Sequence, residues 1–376
     1  MRRVALLNPY HAGSHAQWAE GMAREWPLAA RRSGEALEVE VFSLPGRHWK
    51  WRMHAASLVL VERMKASGVF DRGVDAFLVT DMLDVAQLRG ALPPGERGKP
   101  IILYFHENQL TFPAHPERPP KEWDGHYAFM NVSGALLADA VWFNSNYHRN
   151  LFLEALPGFI SSFPAPRPVD VAARIQERSE VVPIGIEADI LAVGEGPRGT
   201  LFGTGAPVVV WNHRWEYDKG PSAFLSCLDE AAGLGLEFRL AVVGEQFDRV
   251  PDAFIEMRER YADQILVWGY RDTRAEYLDV LRSGDIALVT AHHDFFGISV
   301  LEAAAAGLHV VAPKELAYPD HYSDHQLCDR EVLGLAFQSA LRGNRSDFRD
   351  SARAYSWSVV ADEAWGALKR VWGAVK

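Results

Sequence analysis

The 376-residue sequence predicts an α/β protein of two domains, each built around a parallel sheet. Three observations predict it. The length exceeds what one ordinary core accommodates. Short apolar runs of strand type alternate with stretches of helical apolar spacing, the pattern of βα units. The alternation pauses in a stretch rich in Gly and Pro at 192–207 and then restarts, which marks a domain boundary. Hydrophobic residues make up 48% and charged residues 23%, a globular composition.

Val4 to Leu7 reads as the first strand, and residues 15–33 as a helix with Trp18, Met22, Trp26, Ala29 and Ala30 on one face. Strands follow at Leu37 to Leu44, Ala76 to Thr80, Ile101 to Phe105 and Ala140 to Asn144, with helices at 53–66 and 124–137. Pro157, Pro164, Pro166 and Pro168 predict a loop over 157–170. In the second half, strands are expected at Val208 to Trp211, Arg239 to Val243, Ile265 to Trp268, Ile286 to Thr290 and Val310 to Ala312. Helices fall between them at 221–233, 252–262, 273–283 and 299–306, and a last helix carries Trp357, Trp365 and Trp372. The expected organisation is a first domain over 1–190, a second over 206–355, and a terminal helix over 356–376.

No uncharged apolar run approaches the ~20 residues of a membrane helix, and the N-terminus lacks a signal-peptide core. Cys227 and Cys328 are the only cysteines, which excludes a disulfide framework and fits a cytoplasmic protein. The net charge of −10 argues against a general nucleic-acid coat but leaves room for a local basic patch.

The phosphate-loop and dinucleotide glycine signatures are absent, and no Asp-x-Asp pair supports a metal–diphosphate clip. No metal or cofactor is therefore expected. A metal-independent site neutralises a leaving diphosphate with Arg, Lys and helix N-termini. Residues 211–220, Trp-Asn-His-Arg-Trp-Glu-Tyr-Asp-Lys-Gly, place Arg214 and Lys219 between a strand and a helix, where open α/β sheets bind ligands. The alternative is two ordinary surface charges. Residues 292–307, His-His-Asp-Phe-Phe-Gly-Ile-Ser-Val-Leu-Glu-Ala-Ala-Ala-Ala-Gly, set Asp294 and Glu302 around a glycine turn and a helix start. Carboxylates there suit sugar and ribose hydroxyls; the alternative is a cap Asp and a solvated Glu.

Together these motifs resemble the retaining glycosyltransferases of family four, with the GT-B fold: two Rossmann-like domains facing a central cleft, and a C-terminal helix crossing back to the first. The family's Arg-x4–5-Lys-Gly diphosphate motif matches Arg214, Lys219 and Gly220. Its donor motif matches Asp294, Phe296, Gly297, Ile298 and Glu302, with Asp where the family has Glu. The resemblance assigns the donor sugar to the first acid and the ribose to Glu302. Val242 to Glu245, with Gly244, resembles the phosphate-side loop; Trp268 to Arg271, with Tyr270, resembles the base-side loop; Val182 to Glu187 resembles the interdomain crossing.

The N-terminal half is narrower in its resemblance. Asn8 to His15, Leu44 to Arg52, Tyr104 to Gln109 and Phe143 to His148 resemble the tRNA-queuosine mannosyltransferases. That resemblance implies transfer of mannose from GDP-mannose to queuosine in the aspartate tRNA, with no membrane partner. It implies that His106 contacts the donor sugar and the reaction centre, and it favours front-side attack in which the leaving phosphate takes the acceptor proton. Arg214, Lys219 and Asp294 complete the expected catalytic group. Gly13 and Ser14 follow the first strand; their N–H groups suit the diphosphate, and Ser14 also suits a helix N-cap. His11 and His15, and the cluster Glu107, Asn108 and Gln109, are expected to meet acceptor or sugar. Arg47, Trp49, Lys50, Trp51 and Arg52 interleave cations and indoles, which suits phosphate contact and base stacking. Arg2, Arg3, Arg31 and Arg32 are candidates to extend that patch. The alternative is a helix start with snorkelling cations. Asp320, His321, Asp324 and His325 read as a polar loop. Two rival functions stand beside this one: a family-four transferase with a lipid or small-molecule acceptor, and a catalytically lapsed RNA-binding protein of the same fold.

Overall fold

A computed structural model describes residues 1–114, 125–246 and 249–374. The chain forms two compact units, Met1–Gly185 with Trp357–Lys376, and Ile186–Ser356. The Gly- and Pro-rich stretch 192–207 thus lies inside the second unit, and the terminal helix belongs to the first.

The first unit holds a six-stranded, all-parallel sheet. Its strands are β1 (Arg2–His11), β2 (Leu37–Pro45), β3 (Ala76–Thr80), β4 (Ile101–Phe105), β5 (Ala140–Phe143) and β6 (Ser179–Val181), in the order β2-β1-β3-β4-β5-β6. Every residue of β3, β4 and β5 is buried. Strands covered on both faces carry continuous apolar runs rather than alternation, which is why they were legible as runs. The helices are α1 (Gly13–Arg32), α2 (Trp49–Ser67), α3 (Val69–Arg72), α4 (Val85–Ala91), α5 (Gly125–Leu137), α6 (Asn146–Ser161) and α7 (Val171–Gln176). The expected start of α5 at residue 124 lies outside the described residues. α2 begins four residues before the predicted 53, because Trp49 packs edge-on against Tyr127 at 5.1 Å beside Met53, Met82 and Met130.

The predicted loop at 157–170 is corrected at its start. α6, capped by the Ser145 hydroxyl accepting from the His148 N–H, runs through Pro157 to Ser161. Phe159 and Ile160 pack against the core, which offsets the one helical hydrogen bond that Pro157 cannot make.

The second unit holds a five-stranded parallel sheet of β7 (Val208–Trp211), β8 (Arg239–Val242), β9 (Ile265–Trp268), β10 (Ile286–Leu288) and β11 (His309–Val311), in the order β11-β10-β7-β8-β9. Its helices are α8 (Ala188–Glu195), α9 (Pro221–Gly233), α10 (Asp252–Arg260), α11 (Arg274–Ser283), α12 (Ile298–Ala305), α13 (Tyr318–His321), α14 (Leu333–Leu341) and α15 (Arg349–Arg353). α11 opens with a capping box between Thr273 and Glu276. No helix among the described residues is long and apolar enough to cross a membrane.

In both sheets the strand order reverses once, between β1 and β3 in the first and between β7 and β10 in the second. Loops leaving the two strands at such a point diverge and open a crevice at the strands' carboxyl ends.

The last helix, α16 (Trp357–Ala374), packs on α1. The contact is closest at Trp357, whose indole lies between Gly21 of α1 and Gly185. A Cβ on Gly21 would fall 2.1 Å from Trp357 Cζ2, and one on Gly185 2.2 Å from Cδ2. Gly21→Ala is expected to destabilise the protein by about 1–3 kcal/mol through overpacking. Gly158→Ala, in α6 with nothing within 4 Å of its Cβ position, is expected to stabilise it by about 0.5–1 kcal/mol. Urea unfolding of the two variants checks the contrast.

Candidate active site

In the second unit, the loops leaving β7 and β10 meet at the reversal of strand order, and Lys219 ties them together. Its side chain follows β7, is 10% exposed, and donates from Nζ to the His293 carbonyl at 3.0 Å. The same ammonium lies 3.3 Å from Asp294 Oδ2 and 3.4 Å from Asp218 Oδ2. Backbone contacts reinforce the junction. The N–H groups of His292 and His293 donate to the Asp218 carbonyl, and the Thr290 hydroxyl donates to the Gly220 carbonyl at 2.9 Å. Arg214 is the more exposed cation, held by Glu216 at 2.9 Å with Asp218 at 3.8 Å.

Asp294 is oriented from two sides. Oδ1 accepts the Gly297 N–H at 2.8 Å, closing the turn into α12, while Oδ2 faces Lys219 and the Tyr318 hydroxyl. Burial works to raise its pKa, but Lys219 and the neighbouring His213 and His293 override it and hold the carboxyl below its ordinary value. His213 and His293 are pushed down to about 4, by burial first and by Lys219 second, so both are neutral imidazoles near neutrality. Both cations are matched to carboxylates, Arg214 to Glu216 and Asp218, and Lys219 to Asp218 and Asp294.

Glu302 sits on α12, buried to 6% exposure. Arg274 of α11 donates to its Oε1 at 3.1 Å and the Tyr277 hydroxyl to its Oε2 at 2.7 Å. Arg274 also bonds Asp189. No sequence pattern pointed to Arg274 or Tyr277; both come from a helix remote in sequence. Gly244 follows β8, and a Cβ there would fall 1.9 Å from the His213 carbonyl, so glycine alone lets these two loops approach. Trp215 closes the same junction, its ring stacking on Phe254 at 4.3 Å and its backbone N–H donating to the Glu245 carbonyl. Phe296 is buried, Gly297 caps α12 with φ 79°, Ile298 opens that helix, and Tyr270 lies exposed beyond β9. His321 donates to the Phe296 carbonyl and Asp324 pairs with Lys314, which accounts for two of the polar residues at 320–325. Among the described residues no group of three or more His, Cys, Asp or Glu converges as a metal site.

In the first unit, the reversal between β1 and β3 gathers His15, Asp81 and His106. The rings of His15 and His106 lie 4.2 Å apart, with Trp18 edge-on to His106 at 4.7 Å. Burial, then His15 and His148, hold His106 well below its ordinary pKa, so it is a neutral imidazole. Among the described residues neither of its ring nitrogens has a hydrogen-bond partner. A buried imidazole in that state suits a hydroxyl brought by a ligand.

The loop from His106 to Thr111 is pinned from beneath. Asp81 accepts the His106 N–H at 2.9 Å, Asn131 accepts the Gln109 N–H at 2.8 Å, and Asn144 donates to the His106 carbonyl at 2.9 Å. His148 links Asn144 at 2.8 Å to Asn108 at 2.9 Å. Asn108 is therefore corrected: it is fully buried, and its side chain binds His148, Thr111 and the loop backbone rather than facing a substrate. Glu107 and Gln109 stay partly exposed and bond each other at 3.1 Å.

His11 is bound by Glu20 and Asn8, each at 3.1 Å. The N-cap of α1 is Ala12, so Ser14 lies in the first turn instead of capping it, behind Gly13 with φ 50°. Arg47, Lys50 and Trp51 are exposed and Arg52 is half-buried, donating to the Pro45 carbonyl. Arg2, Arg3 and Arg32 do not extend this patch. Arg2 and Arg3 lie at the opposite end of β1, over Trp372 and against Glu38, and Arg32 pairs with Asp362.

Asp81 went unmarked in the sequence reading, although a polar residue directly after a buried strand is the available signal. Burial, then Glu107, holds its carboxyl well above the ordinary range. For an acid whose pKa is raised by folding, stability is complete below the ordinary carboxylate range and is lost as pH rises through the raised value. Asp81→Asn keeps the acceptor for the His106 N–H and removes the titration. Its melting temperature relative to the unsubstituted protein is expected to climb as pH rises from about 4 to 7; an offset independent of pH contradicts this.

Residues 3–186 match the family described as tRNA-queuosine alpha-mannosyltransferase N-terminal, and residues 206–331 match glycosyl transferases group 1. The tRNA-queuosine alpha-mannosyltransferase of Drosophila melanogaster is 28% identical over 328 residues, covering 86% of this chain and 82% of that one. The D-inositol 3-phosphate glycosyltransferase of Segniliparus rotundus is 29% identical over 205 residues, covering 50% of this chain and 45% of that one. In fold, the chain is similar to Anabaena HepE in complex with UDP (TM-score 0.63, 15% identity, 98% of this chain and 100% of that one). It is also similar to the sucrose-phosphate synthase of Thermosynechococcus elongatus (TM-score 0.66, 14% identity, 100% of both). The chain is a glycosyltransferase of the GT-B fold, similar over its first half to the N-terminal domain of the tRNA-queuosine alpha-mannosyltransferases and over its second half to glycosyl transferases group 1.

Proposed function

We propose that this enzyme transfers mannose from GDP-mannose to the queuosine nucleoside of the aspartate tRNA, with retention at the sugar carbon and without a metal. The observation that carries the donor half is the junction of Lys219, Arg214 and the start of α12 at the strand reversal of the second unit. The acceptor half is supported by the match over residues 3–186 and by the similarity to the Drosophila enzyme. Two free cysteines, Cys227 and Cys328, suit action in the cytoplasm.

In this reading the bond between the sugar carbon and the donor phosphate breaks, and a bond to a queuosine hydroxyl oxygen forms on the same face. The hydroxyl proton passes to the leaving GDP. Arg214 and Lys219 neutralise the charge that develops on the diphosphate, in a site whose dipoles are fixed in advance. Asp294 and the neutral His106 hold sugar hydroxyls, Glu302 accepts from the ribose, Tyr270 flanks the base, Gly13, Ser14, Gly244 and Ile298 offer backbone N–H groups to the phosphates, and Gly297 shapes the turn that presents them. Glu107 and Gln109, with His11 and His15 behind them, position the acceptor, and Arg47, Lys50 and Arg52 contact tRNA phosphates. Catalysis is then mostly positioning and electrostatics.

The test is to incubate the protein with queuosine-bearing tRNA and GDP-mannose, GDP-glucose or UDP-galactose, and to weigh the nucleosides by mass spectrometry. A hexose adduct with GDP-mannose alone is expected; no adduct with any donor overturns the proposal. Glu302→Ala is expected to weaken GDP binding by about ten- to a hundredfold in calorimetry, the loss of charge-assisted hydrogen bonds, and unchanged affinity removes the ribose role.

A further inference from the structure

Glu302 is braced by a ring of hydrogen bonds that begins and ends on α12. Its Oε2 accepts the Tyr277 hydroxyl of α11 at 2.7 Å. The Tyr277 oxygen in turn lies 3.1 Å from Nδ2 of Asn212, the residue directly after β7. The same Nδ2 lies 2.7 Å from the carbonyl of Ser299, in the first turn of α12. Asn212 and Glu302 are both buried, 7% and 6% exposed.

Valence fixes the direction of each bond in this ring. A carbonyl oxygen only accepts, so the Asn212 amide must turn its nitrogen toward Ser299. An amide nitrogen carries two protons and only donates, so the Tyr277 oxygen receives the second of them. The phenol has a single proton of its own, and that proton is left for Glu302. Burial, then Glu302 itself, pushes the Tyr277 phenol well above its ordinary pKa, so the proton stays in place near neutrality. Oε1, the other carboxylate oxygen, accepts from Arg274 at 3.1 Å, and Arg274 is anchored from behind by Asp189.

This bracing leaves capacity over. A carboxylate has room for about four hydrogen bonds. Among the described residues Glu302 accepts from two side chains, one on each oxygen. Two adjacent acceptors with a lone pair each suit two adjacent hydroxyls, the vicinal pair that a ribose carries and a 2′,3′-dideoxyribose lacks. A carboxylate already held on both oxygens meets such a pair without losing rotamer freedom on binding. The hydroxyl of Tyr277 thus bears on the ligand through the aim of Glu302, with no contact of its own.

We propose that Tyr277 is a positioning residue for the donor nucleotide: directed by Asn212, its hydroxyl fixes the Glu302 carboxylate for the vicinal hydroxyls of the ribose and so sets the preference for ribonucleotides over their dideoxy counterparts. The inference rests on the ribose role of Glu302 stated above and adds to it the two residues, Asn212 and Tyr277, that act through Glu302.

The test is calorimetry on the full-length protein with GDP and UDP, the tighter binder then being compared with its 2′,3′-dideoxy form. In Tyr277→Phe the ratio of the two affinities is expected to fall about tenfold, with the dideoxy affinity unchanged. Asn212→Ala keeps the phenol but frees its direction, and is expected to lower the ratio about threefold; it also carries the test if melting curves show that Tyr277→Phe does not fold. Tyr277→Phe/Glu302→Ala is expected to match Glu302→Ala alone. An unchanged ratio in both single variants, or an equal loss on both forms of the nucleotide, overturns the positioning role. A preference that survives in Glu302→Ala and vanishes only in the double variant overturns it too, because Tyr277 then touches the ribose itself. The two readings fail separately. Preference lost in Glu302→Ala but kept in Tyr277→Phe and Asn212→Ala sinks the positioning alone. Preference fully kept in Glu302→Ala and in the double variant sinks the ribose role on which it rests, and binding of neither nucleotide overturns both.

Discussion

The second unit depends on one buried ammonium. Lys219 joins the loop after β7 to the loop after β10 at the point where the strand order of its sheet reverses. Removing one member of such a buried group leaves the others unpaired, at a cost of about 3–5 kcal/mol. Asp294 is aimed by Lys219 on one oxygen and by the α12 turn on the other, so the start of that helix is fixed by the same cation. Gly244 and Trp215 bring the β8 loop onto this junction. The loops after β7, β8 and β10 are thus held together by one cation, one turn and one glycine contact.

The first unit solves a related problem with neutral groups. Its crevice loop is held by Asp81, Asn131, Asn144, His148 and Asn108, a connected set of buried polar side chains. Fully satisfied networks of this kind specify one conformation. Above them, His106 keeps both ring nitrogens unsatisfied among the described residues. One unit therefore offers fixed charge and the other offers fixed hydrogen-bonding capacity, a division that suits a reaction between an anionic leaving group and a polyhydroxylated acceptor.

Much of this was legible in the sequence, and the reason is physical. Strands buried on both faces, such as Val208–Trp211 and Ile286–Leu288, are short continuous apolar runs. Arg214, Lys219, Asp294 and Glu302 stood in local motifs because the loops after β7 and β10 and the helix start that follows supply them. Asp81, Arg274 and Tyr277 stood in no motif. Their roles depend on partners far away in sequence, which only folding brings together. Asn108 misled for the same reason: a polar residue in a polar cluster carries no mark of which way it points. α6 continued past Pro157 because tertiary packing of Phe159 and Ile160 outweighed a local breaker.

The central claim is that Lys219 is the cation that takes over the diphosphate. The most direct measurement compares GDP and guanosine binding by calorimetry in the unsubstituted protein and in Lys219→Met. The account predicts that guanosine binds both alike, and that the preference for GDP over guanosine falls by at least tenfold in the variant, as loss of a charge-assisted contact requires. A Lys219→Met protein that still binds guanosine and prefers GDP by the original factor would contradict it.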